Sequence, residues 1–230
     1  MGKIRMVVLT KSSKYGKNCV AGINLANGSW VRLVTNDESS HGAVSDEDLV
    51  CKDGNIVQVL DVIDAPILGA CNTEIQPENV LLDLDTYIEI VGKISIEEVL
   101  NVHPLESRGN ILGNIYPYIT EARVGSVGYS LTIVEVDDLE IVQEENPSGK
   151  PKTKVKFNYN GNQYENISVT DEKFYSVKNG TRYDKAILVI SIGTPYNSKY
   201  YKFVSAIFRE ILYLIFDYPY KHYTFKYFEV

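Results

Sequence analysis

The chain has 230 residues, 44% of them hydrophobic and 23% charged, with 23 Lys/Arg against 30 Asp/Glu for a net charge of -7. This composition fits a soluble globular protein of one large domain or two of about 100 residues each, able to bury a core without disulfide staples. It excludes a membrane-spanning helix, because the most apolar late segment, 203–216, is too short and is interrupted by Arg209 and Glu210.

The net charge hides an asymmetry. Residues 1–36 hold six Lys/Arg and no Asp/Glu, residues 37–149 hold four against 23, and residues 150–230 hold 13 against seven. Two basic terminal regions bracket an acidic middle, and a local basic patch can attract a polyanion whatever the total charge. Cys19, Cys51 and Cys71 form no CxxC pair and cannot all pair with one another, which predicts a reducing compartment. Met1-Gly2-Lys3-Ile4-Arg5 lacks the apolar run of a signal peptide. Together these predict a cytoplasmic protein with no membrane contact.

In chain order, Ile4–Thr10 reads as a strand followed by a loop of Lys, Ser and Gly. Asn18–Leu25 and Ser29–Val34 flank Asn27-Gly28, a dipeptide suited to a two-residue type I′ turn. Asn55–Leu68 reads as a long strand ended at Pro66, and Tyr87–Val91 as a short one. Ser95-Ile96-Glu97-Glu98 carries a capping box, with Ile96, Val99 and Leu100 on one face of a one- or two-turn helix. The Gly-, Asn- and Pro-rich stretch 101–126 reads as a junction. Tyr129–Val136 resumes the strands, and Lys154–Tyr159 with Gln163–Thr170 form a hairpin about Asn160-Gly161. Lys185–Ile192 reads as a central strand, and Tyr200–Phe208 as a last strand or the start of a helix. Many short strands with little helix predict a mainly β chain built as two small closed barrels in tandem, with short helices. No sequence repeat links the halves. The predicted division is 1–122 for a first barrel with an acidic insert and short helix, 123–211 for a second, and 212–230 for an aromatic C-terminal tail.

Several segments carry a family likeness: Lys11-Ser12-Ser13-Lys14, Cys19-Val20-Ala21-Gly22, Trp30-Val31-Arg32-Leu33-Val34, and Ser45-Asp46-Glu47-Asp48-Leu49. Asp61-Val62-Ile63 with Pro66, Gln76-Pro77-Glu78-Asn79, Ser168-Val169-Thr170-Asp171 and Ser191-Ile192-Gly193-Thr194-Pro195 continue the series. In this order the chain resembles the dual OB-containing domain family of prokaryotes from about Lys3 to about Phe208. The resemblance implies two tandem OB-like barrels and a role in recognising nucleic acid, sometimes within bacterial defence or conflict systems. It brings no agreed catalytic residue, and it fades before the tail at Leu212–Val230.

OB barrels bind single strands through a positive groove with aromatic stacking platforms. Trp30 and Arg32, two apart on a strand, share a face. Lys11, Lys14, Tyr15 and Lys17 fall in the loop that would rim such a groove. If Asn27-Gly28 makes a two-residue turn, Trp30 faces Leu25 and Arg32 faces Ile23, and Trp30 can equally fill the core. Both orientations stay open. Lys154 and Lys156 alternate on one face of the second hairpin, and with Tyr200 they form a second basic and aromatic set, although lysines on an edge strand also serve to prevent aggregation.

Other chemistries are weaker. Gly16-Lys17-Asn18 lacks the first glycine and the hydroxyl of a phosphate-binding loop. His41, His103 and His222 make no metal-ligand spacing, and no cofactor is expected. The acidic run Asp37, Glu38, Asp46, Glu47, Asp48 invites a metal-dependent nuclease reading but suits a solvated loop with Ser45 capping a helix. The sequence therefore predicts a non-enzymatic binder of single-stranded or unusually structured DNA or RNA. The alternative is a protein-interaction or small-ligand module, with a protein partner or second copy docking on the tail.

Overall fold

In the computed structural model, residues 2–145, 149, 151–212 and 226–229 are described. The first barrel is made by β1 (Gly2–Lys14), β2 (Lys17–Asn24), β3 (Trp30–Val34), β4 (Asp61–Ala70) and β5 (Asn79–Leu82). Their order is β1-β2-β3-β5-β4, and the β1–β4 pairing closes the ring. The β3–β5 pair is parallel and the others are antiparallel. A further strand, β6 (Glu89–Lys93), pairs with β4 outside the ring, and α1 (Ile96–Val102) follows. The Ser95 capping box is present: Ser95 Oγ accepts from the Glu98 N–H, and the Glu98 carboxylate accepts from the Ser95 N–H.

The segment before the second barrel holds β7 (Tyr118–Thr120) and α2 (Glu121–Val124). The second barrel is made by β8 (Leu131–Glu145), β9 (Pro151–Tyr159), β10 (Asn162–Val169), β11 (Arg182–Tyr196) and β12 (Lys199–Leu212). It repeats the topology of the first: β8-β9-β10-β12-β11 closed by β8–β11, with β10–β12 the parallel pair. The chain thus folds as two closed five-stranded barrels in tandem. On the far side of β12, β13 (Lys226–Glu229) pairs antiparallel. The aromatic-tail expectation falls mainly on residues 213–225, which lie outside the described residues.

Several strand boundaries differ from the sequence reading. The strand expected from Asn55 starts at Asp61, because Leu60 takes φ 71 and the Asp61 carboxylate accepts from the Gln58 N–H, closing a turn. Pro66 does not end β4, since its carbonyl still accepts from the Asp83 N–H. Asn160-Gly161 forms the expected two-residue turn, with φ 48 and 73 and Tyr159 opposite Asn162. Asn27-Gly28 does not. The Asn24 N–H donates to the Ser29 carbonyl, leaving a four-residue loop, so Trp30 pairs with Ile23 and Arg32 with Ala21. The 101–126 junction is more ordered than its composition implies. Ile111, Leu112, Ile119 and Val124 pack into the second barrel, and β7 pairs with β12. The buried Lys202 ammonium donates to the Ile111 carbonyl (2.7 Å) and the Asn114 carbonyl (2.6 Å), while the Tyr164 hydroxyl accepts from the Ile111 N–H (3.0 Å).

Among the described residues three apolar cores result. One fills each barrel, and the third lies between them. Successive side chains of a strand point to opposite faces, so β1 gives Met6 and Val8 to its own barrel and Val7 and Leu9 to the third core. From the other side, β8 gives Ile133, β11 gives Ile187 and Val189, and β12 gives Ala206 and Phe208. The barrels therefore pack face to face.

Candidate functional site

The loop expected between the first two strands is a hairpin. β1 and β2 remain paired as far as Lys14 opposite Lys17, and Tyr15 and Gly16 turn with φ 51 and 74. This ribbon reaches the second barrel: the Ser13 N–H donates to the Thr170 carbonyl (2.9 Å), and the Tyr15 and Thr194 hydroxyls are bonded at 2.9 Å. Beside it, a cleft of about 490 Å³ opens between the barrels.

Both barrels supply its walls. The first contributes Ser12, Ser13, Lys14, Tyr15, Cys19, Arg32 and Gln76. The second contributes Ser168, Thr170, Ser191 and Thr194, the aromatic residues Tyr196, Tyr201 and Phe203, and Lys152. Gly193 also lines the cleft. A Cβ there would sit 2.4 Å from the Phe203 ring, so the missing side chain lets that ring close against the strand.

Arg32 is only 3% exposed. Its Nη2 lies 2.9 Å from Glu78 Oε1 and donates to Ser130 Oγ at 2.8 Å, and Ser130 in turn donates to Glu78. Because Ser130 immediately precedes β8, this cluster bolts the two barrels together. The buried Nε of Arg32 has no partner among the described residues, nor has Oδ1 of Asn79, its neighbour across the β3–β5 ladder. Lys14 donates to the His41 carbonyl (2.7 Å). Burial pulls its ammonium below the usual lysine value, and the nearby Arg32 charge adds to this. Lys152 has no carboxylate partner among the described residues. Among the described residues no Asp or Glu lines the cleft.

Of the residues singled out in the sequence, Lys14, Tyr15 and Arg32 come together here. Lys11 is paired with Asp46 (3.1 Å) and Lys17 with Asp37 (2.8 Å). Lys154 is paired with Glu144 (2.6 Å) and Lys156 with Glu140 (3.3 Å). The acidic middle of the chain thus neutralises much of the basic rim. Tyr200 is buried in the second barrel. Trp30 packs against the third core rather than presenting a free face, and its Nε1 donates to Glu106 (2.9 Å) while its ring meets His103 edge-on. The acidic run is also engaged. Asp37 is held well below the usual carboxylate range by Lys17, Ser39 and Ser40, and Asp48 exchanges hydrogen bonds with Ser45. Among the described residues no group of three or more His, Cys, Asp or Glu is placed to hold a metal ion, and the three cysteines are free.

The cleft draws on six of the segments that carried the family likeness: Lys11–Lys14, Cys19–Gly22, Trp30–Val34, Gln76–Asn79, Ser168–Asp171 and Ser191–Pro195. A family model described as the dual OB-containing domain matches residues 4–207. The chain belongs to the dual OB-containing domain family. A search of curated proteins and a search of solved structures each returned no match.

In this dual OB-containing domain, sequence reasoning missed the role of Gln76, Gly193 and Phe203 in the cleft. Each looks like ordinary strand or loop material. For Gln76 and Gly193 the available signal was their place inside the resembling segments, which are far apart in sequence and meet only when the barrels dock; Phe203 lies outside those segments and carried no such signal.

Proposed function

We propose that the interbarrel cleft binds a nucleotide unit of single-stranded nucleic acid, as a binding site without a catalytic step. One observation carries this reading: Lys14, Arg32 and Lys152 line a cleft that has no acidic residue among the described residues and is flanked by Tyr196, Tyr201 and Phe203. Cations beside aromatic faces suit a ligand that joins a phosphate to a planar base, and OB barrels use that combination for single strands. The Ser168 hydroxyl adds a neutral donor for a phosphate or sugar oxygen. The volume also suits a free mononucleotide as a small ligand, so a mononucleotide is the necessary control.

The test is a salt titration of oligonucleotide binding. For single strands the log–log slope is about -0.7 per phosphate contact. Replacing both Lys14 and Lys152 with Ala is expected to reduce its magnitude by about 1.4, whereas K154A/K156A, whose lysines are already ion-paired, leaves it nearly unchanged. An unchanged slope in K14A/K152A, or no binding at low salt, overturns the reading.

A further inference from the structure

β7 is a three-residue strand added outside the second barrel, and its register on β12 sets Tyr118 opposite Tyr201 and Ile119 opposite Tyr200. Ile119 and Tyr200 enter the barrel core. Alternation along the strand sends Tyr118 and Tyr201 to the opposite face. The Tyr118 ring centroid lies 6.0 Å from that of Tyr201 and 6.4 Å from that of Tyr116, the last pair at an interplanar angle of 25°. Lys199 Nζ sits 4.1 Å from the Tyr118 centroid. Tyr116 is 61% exposed. Three tyrosine rings and a cation therefore form a surface ladder, and its first rung, Tyr201, is already a wall of the cleft.

We infer that this ladder extends the binding site: a single strand with one nucleotide seated in the cleft lays its following bases along Tyr201, Tyr118 and Tyr116, with Lys199 beside its backbone. The inference rests on the reading of the cleft given above, and the shared Tyr201 makes the two surfaces continuous. The ring spacing selects the strand type. Bases stacked in a duplex strand rise by about 3.4 Å, roughly half the spacing of these rings. Successive bases meet successive rings only when they are unstacked from one another, as in single-stranded nucleic acid bound on aromatic platforms.

Binding of a fluorescently labelled series tests this directly: a mononucleotide, then oligothymidylates lengthened one residue at a time, and a duplex of the longest length. Affinity is expected to climb over the first few residues and then level off, with the duplex binding more weakly than the single strand. The variant Y116A/Y118A is expected to lose about tenfold or more for the longer strands while binding the mononucleotide as the wild type does. Y116A alone alters only an exposed ring and is expected to show a smaller loss of the same pattern even if the double variant is destabilised. Equal affinity at every length, equal binding of duplex, or full-strength binding of long strands by both variants overturns the ladder while leaving the cleft in place. No binding of any member of the series by the wild-type protein overturns both.

Discussion

Glu106 accepts from Trp30 Nε1 (2.9 Å), Thr132 Oγ1 (2.7 Å) and Arg108 Nε (3.0 Å), and it faces His103 Nε2 at 3.2 Å. The other ring nitrogen of His103 lies 2.7 Å from the Gly28 carbonyl. Both partners of the imidazole are acceptors, so the arrangement is satisfied only when both nitrogens carry protons. Burial alone would lower the His103 pKa, but Glu106 and the Gly28 carbonyl hold it above the usual 6.5. A raised pKa means the folded protein holds this proton more tightly than the unfolded chain. The contribution to stability is complete below the unfolded value and is lost as pH rises through the folded one. Glu106 behaves oppositely. Burial opposes its ionisation, yet its donors pull it to about 2, so its contribution is present above the ordinary carboxylate value and fades as pH falls toward about 2. Urea unfolding across about pH 5 to 9 is expected to show a decline on the alkaline side that His103→Ala flattens; parallel profiles for the two proteins would exclude this role. His103 and Glu106 are neighbours in sequence, but the network was not legible there, because Trp30 and Thr132 join them only when the two barrels meet.

Among the strands, β1 and β2 approach each other more closely than side chains allow. A Cβ at Gly22 would lie 1.8 Å from the Val7 carbonyl oxygen, next to the irregular register between Val8 and Thr10. The obstacle is backbone, which cannot swing aside as a side chain can. Gly22→Ala is expected to cost about 3 kcal/mol, at the upper end of over-packing penalties, measurable by chemical denaturation; a loss below about 1 kcal/mol would mean the strands part easily. Much of the element list was readable. The Ser95 capping box and the Asn160-Gly161 turn are local, and local chemistry decides them. The continuous apolar runs at Met6–Leu9 and Ala186–Ile190 signalled buried strands, and each proves to be sandwiched between two cores. The internal repeat was not readable as aligned sequence. It survives as topology and as one echo: Val34-Thr35 precedes Asp37 and Val169-Thr170 precedes Asp171, and each aspartate caps a short 3-10 turn after the third strand of its barrel.

For the molecule as a whole, the third core matters more than the division into barrels. Val7, Leu9, Ile23 and Leu60 from one side meet Ile133, Val189, Ala206 and Phe208 from the other, and the Arg32–Glu78–Ser130 cluster closes the seam next to the cleft. Separating the barrels would expose an apolar face on each and leave a buried charge pair without its third member. Thermal unfolding is therefore expected to be one transition, with calorimetric and van't Hoff enthalpies equal. Two resolved transitions would show barrels that melt independently. Sequence reading found two barrels but could not tell beads on a string from a fused pair, because an apolar strand face does not say which barrel covers it.

The seam also sets a timetable for synthesis. The first barrel is complete in sequence by Leu82, but the strands that cover its outer face, β8, β11 and β12, lie between Leu131 and Leu212. At about 5–20 residues per second, a nascent first barrel carries Val7, Leu9 and Ile23 uncovered for roughly 5–25 seconds before β12 emerges. During that interval the half-made chain is a sticky intermediate, so pauses in translation after residue 102 or so would favour its association with neighbouring nascent chains.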